Sequence, residues 1–93
     1  MDATWDRLRA WVIERERMTY HVALARLALV KRGETVSSYD LGECSARPRR
    51  DGVSRGVSVA PVLEMAERLG VVRRVGYVTG PGRARRRQYR RVR

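Results

Sequence analysis

Val59-Ala60-Pro61-Val62-Leu63-Glu64-Met65-Ala66-Glu67-Arg68-Leu69-Gly70-Val71-Val72-Arg73-Arg74-Val75 holds two periodicities in one run. Val59, Val62, Leu63, Ala66 and Leu69 recur at the spacing of one helix face, which predicts a helix over 58–69. Ser58 is a side chain that can cap its start. Pro61 is tolerated there because the first-turn N–H groups have no helical partner. Gly70 is the expected stop. Beyond it, residues 71–78 are rich in β-branched side chains and read as a strand. Thr79-Gly80-Pro81-Gly82 reads as a turn, and residues 87–92 return antiparallel.

Upstream of this run, residues 2–18 read as an amphipathic helix that Asp2 or Thr4 can cap. Its apolar stripe is Trp5, Leu8, Trp11 and Val12. Burial of that stripe is expected, either inside the chain or against a second copy. Thr19 is a second cap site. Tyr20, Ala23, Leu24, Leu27, Ala28 and Lys31 share a face of a further helix over 19–32, and Val22, Leu29 and Val30 widen its apolar surface. That predicts a more buried helix than the first, ending at Gly33. The pattern fits two helices or one bent helix. Glu34-Thr35-Val36 follows as a short extended piece. Ser37-Ser38-Tyr39-Asp40 has the spacing of a capping box and predicts a short helix through about Cys44. Ser45 to Gly52 reads as loop.

The charge is as uneven as the periodicity. Residues 1–45 balance seven basic against seven acidic side chains, whereas residues 46–93 set fourteen arginines against Asp51, Glu64 and Glu67. The whole net charge of +11 therefore belongs to the second half. Lys31 is the one lysine among 21 basic residues. A basic surface confined to one half is the footprint of a polyanion partner. The guanidinium adds a planar fork that grips phosphate or a guanine edge through two hydrogen bonds.

Ninety-three residues make one domain with a modest core. Cys44 and His21 are each the single residue of their type, which excludes a disulfide framework and a four-ligand zinc site. Cys44 is expected to be a small buried residue and His21 a structural one. The longest apolar stretch, residues 22–30, is interrupted by Arg26 and is too short to span a bilayer. No signal peptide is expected before the first helix. No nucleophile–base pairing, phosphate-cradling glycine loop or metal cluster stands out. Neither an enzyme nor a cofactor is expected.

Helix, short strand, short helix, loop, longer helix, glycine and basic hairpin is the order of a winged helix-turn-helix. Glu34-Thr35-Val36-Ser37-Ser38-Tyr39-Asp40-Leu41 resembles the first strand and second helix of that family. The run from Val59 to Val75 resembles its recognition helix passing into the wing. Arg83-Ala84-Arg85-Arg86-Arg87-Gln88-Tyr89 resembles the returning wing strand of MarR-like, ArsR-like and PadR-like regulators. The resemblance covers roughly residues 20–93. It implies a mainly α fold with a small β-hairpin, a winged helix carrying an extra N-terminal helix. On this division residues 1–18 are the added helix and 19–93 the winged helix, all in one domain. Two features depart from the family. The link over about 45–57 is longer than its tight turn, and Glu64 and Glu67 put acid on the exposed face of the recognition helix.

The resemblance and the charge together imply a DNA-binding protein, a transcriptional regulator or chromatin-type binder, cytoplasmic and associated with the nucleoid. The acids disfavour laying the whole helix in a phosphate-lined groove. Contact is expected at its N-terminal end, through Arg55 and Ser58, with Arg47, Arg49 and Arg50 flanking from the loop. Arg74, Arg83, Arg85, Arg86 and Arg87 are the expected wing contacts, along the backbone or in a narrowed minor groove. Tyr77 and Tyr89 either stack on bases or pack across the hairpin. Double-stranded DNA is the expected partner, with a possible homodimer through the first helix. A structural RNA-binding protein, such as a small ribosomal winged helix, is the alternative, since arginine-rich loops suit folded RNA. A protein-interaction winged helix is a third class, which the charge disfavours.

Overall fold

Glu16 separates the first two helices. Its backbone is left-handed (φ 52°), and Arg17 after it is extended (φ −109°, ψ 118°). The chain therefore forms two helices, α1 (Ala3–Arg15) and α2 (Met18–Leu29), in place of one bent helix. Arg17, with no side-chain cap, precedes α2, so Thr19 is not the cap. The break folds α2 back on α1. Trp11 stacks on Tyr20, with ring centroids 5.8 Å apart and planes 9° apart. The computed structural model describes residues 3–42, 59–79 and 85–93. The expected caps at Asp2 and Ser58 and Cys44, expected to be a small buried residue, lie outside them.

Helix α2 ends at Leu29, short of the expected residue 32, and Val30 is already extended. The terminating partner comes from the far end of the chain. The Arg91 guanidinium donates from Nη1 to the carbonyls of Ala28 (3.0 Å) and Val30. A cation on the last helical carbonyls satisfies acceptors that have no partner within the helix. Gly33, at φ 86°, then donates its N–H to the Arg91 carbonyl at 2.7 Å and leads into β1 (Thr35–Ser37).

The short helix expected after β1 is a succession of turns among the described residues. Asp40, Leu41 and Gly42 donate their N–H groups three residues back, to Ser37, Ser38 and Tyr39. Gly42 has turned left-handed (φ 97°), a conformation that breaks a helical run. The acid half of the capping box does form, since the Ser37 N–H donates to Asp40 Oδ2 at 2.8 Å. The turn seats Leu41 in the core.

Helix α3 (Ala60–Arg68) has Pro61 in its first turn and buries Val62, Leu63 and Ala66. Its end is a Schellman motif. Gly70, at φ 80°, donates to the Glu67 carbonyl at 3.0 Å, and Val71 donates to that of Ala66 at 2.8 Å. Strands β2 (Val72–Thr79) and β3 (Arg85–Arg91) follow, and β1 pairs with the far side of β3. The sheet is antiparallel in the order β1-β3-β2. Among the described residues, three helices against a three-stranded sheet make a mixed α/β fold, with more sheet than a small hairpin on a mainly α body.

One core joins all six elements. Leu8 and Val12 of α1, Tyr20, Ala23 and Leu27 of α2, Val36 of β1, Leu63 of α3, and Val72 and Tyr89 of the hairpin are buried together. The α1 stripe is thus buried within a single chain, and Trp5 and Trp11 pack at the edge of the core. Trp5 Nε1 donates to the Arg93 carbonyl at 3.1 Å, tying α1 to the end of the chain. The expectation that Val22 and Leu29 deepen the burial of α2 does not hold. Leu29 is 83% exposed and Val22 41%, because both project from the side of α2 away from the core. Among the described residues no helix is long and apolar enough to cross a membrane.

Candidate nucleic-acid interface

The two hairpin strands carry seven arginines and no acidic residue. Register decides where each points. Tyr89 on the central strand is opposite Val36 of β1 and Arg74 of β2, and Tyr89 and Val36 are both buried. Side chains alternate along a strand, so Arg85, Arg87 and Arg91 share the helix side with Tyr89, while Arg86, Gln88 and Arg90 face the opposite side. Across on β2 the bulge at Val75 resets the alternation. Val72, Arg74, Tyr77 and Thr79 consequently belong to the helix side, and Arg73 and Val78 to the outer side.

Each arginine of the helix side has an intramolecular partner. Arg74 Nη2 donates to Glu67 Oε1 at 3.0 Å, and Arg87 Nη1 lies 3.9 Å from Glu64 Oε1. The hydrogen bond to Glu67, reinforced by its charge, raises the Arg74 pKa above the ordinary guanidinium value. Arg91 caps α2 and lies 4.8 Å from the centre of the Trp5 ring. Arg85 stacks on the Tyr77 ring at 4.8 Å, near the end of the hairpin. Tyr77 is 58% exposed and stands opposite Arg87, so the two tyrosines do not pack on each other across the hairpin.

Glu64 and Glu67 are thus the hairpin's own counterions. The acids that seemed to oppose a polyanion at α3 are directed at Arg87 and Arg74. Exposed pairs of this type are weak and yield to a competing phosphate. On the outer side, Arg86 stacks over the Tyr39 ring at 5.6 Å and donates from Nη1 to the Arg85 carbonyl at 3.1 Å.

Of the ten residues singled out from the sequence, Arg74, Arg85, Arg86 and Arg87 are brought together on the hairpin, three on the helix side and Arg86 on the other. Arg47, Arg49, Arg50, Arg55, Ser58 and Arg83 lie outside the described residues. Two candidates escaped the sequence reading, Arg73 and Arg90, which are exposed and directly opposite one another. The signal for them was Tyr89, the one aromatic within a strand of arginines. It has to face the core, which turns Arg90 outward. Chemically, the hairpin offers planar guanidinium forks suited to phosphate oxygens. Among the described residues no three His, Cys, Asp or Glu side chains gather as a metal site. Comparison with protein-family models, with curated proteins and with solved structures finds no match to this chain.

Proposed function

We propose that this chain is a nucleic-acid-binding domain. Within that class, our reading is a winged-helix DNA-binding protein that acts as a transcriptional regulator or chromatin-type binder. The observation that carries the reading is the hairpin itself, seven arginines without an acidic residue in its strands. Like charges on adjacent strands weaken a sheet, so a partner anion is the natural complement of this composition. The order α2, β1, α3, β2, β3 supports the winged-helix form. The turns over 38–42 stand where that family has a second helix.

In this reading Arg85 and Arg87, on the helix side near the end of the hairpin, grip the phosphate backbone and supply affinity by releasing counterions. The N-terminal end of α3, with Arg55 and Ser58 before it, supplies the sequence preference. A labelled duplex competed with unlabelled duplex and with folded RNA tests the partner class. Duplex DNA is expected to displace the label at the lower concentration. The reverse order assigns the chain to structured RNA, and binding of neither labelled duplex nor labelled RNA leaves a protein-interaction domain.

We place the homodimer on the α1–α2 side of the chain. A cleft of about 390 Å³ there is lined by Trp5, Arg9, Ile13, His21, Leu24, Ala25 and Ala28. Ile13, Met18 and Leu29 on the same helices are exposed. His21 is exposed at this cleft, in place of the structural role expected of it. Sedimentation equilibrium is expected to give a dimer for the native chain and a monomer for Leu29→Asp.

A further inference from the structure

We infer that the outer face of the sheet holds a second phosphodiester backbone, so that one chain bridges two nucleic-acid segments. The inference rests on the nucleic-acid reading above and goes beyond it. The two sides of the sheet are treated differently. On the helix side Glu67, Glu64 and the α2 carbonyls answer Arg74, Arg87 and Arg91. On the outer side Arg73 and Arg90 are exposed and directly opposite, with Thr35 as the other neighbour of Arg90. Among the described residues no ion pair reaches either of them. Asp40, the acid that follows β1, spends Oδ2 on the Ser37 N–H at 2.8 Å and the Ser37 hydroxyl at 3.3 Å.

Two guanidinium groups directly across a strand pair repel each other, and only a shared anion turns that repulsion into attraction. Arg86 lies on the same side, four residues from Arg90 along β3. At strand rise that is about 13 Å, close to the roughly 12 Å width of a B-form major groove. The Arg73–Arg90 pair and Arg86 can therefore meet the two backbones that flank a groove.

The duplex held by the wing cannot supply this second backbone. Arg73 is six residues from Thr79 along β2, about 20 Å from the end of the hairpin strand. It also faces the opposite side from Arg85 and Arg87. A nucleic acid on the outer face is consequently a separate segment from the one that the hairpin tip and α3 meet.

The test uses two 20-base-pair duplexes, one carrying a donor dye and the other an acceptor, mixed with the full chain. Anisotropy with one duplex alone reports single-segment binding separately. The native chain is expected to give energy transfer between the duplexes. In a Leu29→Asp background, which removes the dimer contact, Arg73→Gln/Arg90→Gln is expected to raise the protein concentration for half-maximal transfer at least tenfold over Leu29→Asp alone, while single-duplex affinity changes less than about threefold. Arg73→Lys/Arg90→Lys, which keeps both charges, is expected to restore most of the transfer. Circular dichroism checks that each variant is folded. Single-duplex binding without transfer overturns the bridging inference and leaves the proposed function standing. Transfer undiminished in the glutamine variant also overturns it, because bridging then runs through other residues. Failure to bind even one duplex removes both.

Discussion

Replacing Arg85 and Arg87 together with alanine is expected to weaken duplex binding on the order of 10²-fold at 0.1 M salt. Each neutralised phosphate contributes roughly 0.9 to the slope of log K against log salt, so two lost contacts are worth about 1.8 decades at that concentration. The loss should be equal on a selected site and on a scrambled one, because backbone contacts carry no sequence information. Arg85 stacks on Tyr77, so its guanidinium group is held in place before binding. Arg87 has to leave Glu64, a contact of 3.9 Å between half-exposed side chains. Competition by the two duplexes in a filter or anisotropy assay measures the effect. A loss confined to the selected site would move these arginines from backbone gripping to base reading.

The second large effect concerns stability. Leu8→Ala is expected to cost about 2–5 kcal/mol, the range for truncating a fully buried leucine. Leu8 is 0% exposed and belongs to the same core as Leu27, Leu63 and Tyr89. If α1 were an accessory helix, the cost would be a few tenths of a kcal/mol. A small domain has about 5–15 kcal/mol in total, so the variant should melt far below the native chain. Urea unfolding followed by circular dichroism gives the number directly. A cost under about 0.5 kcal/mol would show that the fold stands without α1.

The contrast between these two predictions reflects what the sequence makes legible. Helix α3 and the hairpin could be placed because Val62, Leu63 and Ala66 keep a helical period and Gly70 ends it with a left-handed residue. Element boundaries went wrong where the deciding partner is remote. Helix α2 stops at Leu29 because Arg91, some sixty residues later, takes its carbonyls. The helix expected after β1 gives way to turns because successive i→i−3 bonds lead into a left-handed Gly42.

The site was legible as a location and illegible as a set of roles. An arginine-rich returning strand announces a basic hairpin. Arginine occurs at both parities of Arg85–Arg91, however, so composition cannot say which side each one faces. The bulge at Val75 shifts that parity on β2, and the isolated Gly76 beside it marks an irregularity without saying which side each arginine then faces. For the same reason Glu64 and Glu67 read as a repulsive face in the sequence, when in space they are the counterions of Arg87 and Arg74. Arg91 is part of the same basic run, and its work is to cap a helix.

A salt titration of duplex affinity tests the central claim most directly. If hairpin and loop together neutralise four to eight phosphates, log K falls with log salt at a slope of about −4 to −7. Between 50 and 200 mM salt the affinity then drops by about 10²- to 10⁴-fold. A slope near zero would contradict the account, because a chain of net charge +11 that binds duplex DNA without releasing counterions is not gripping its phosphates.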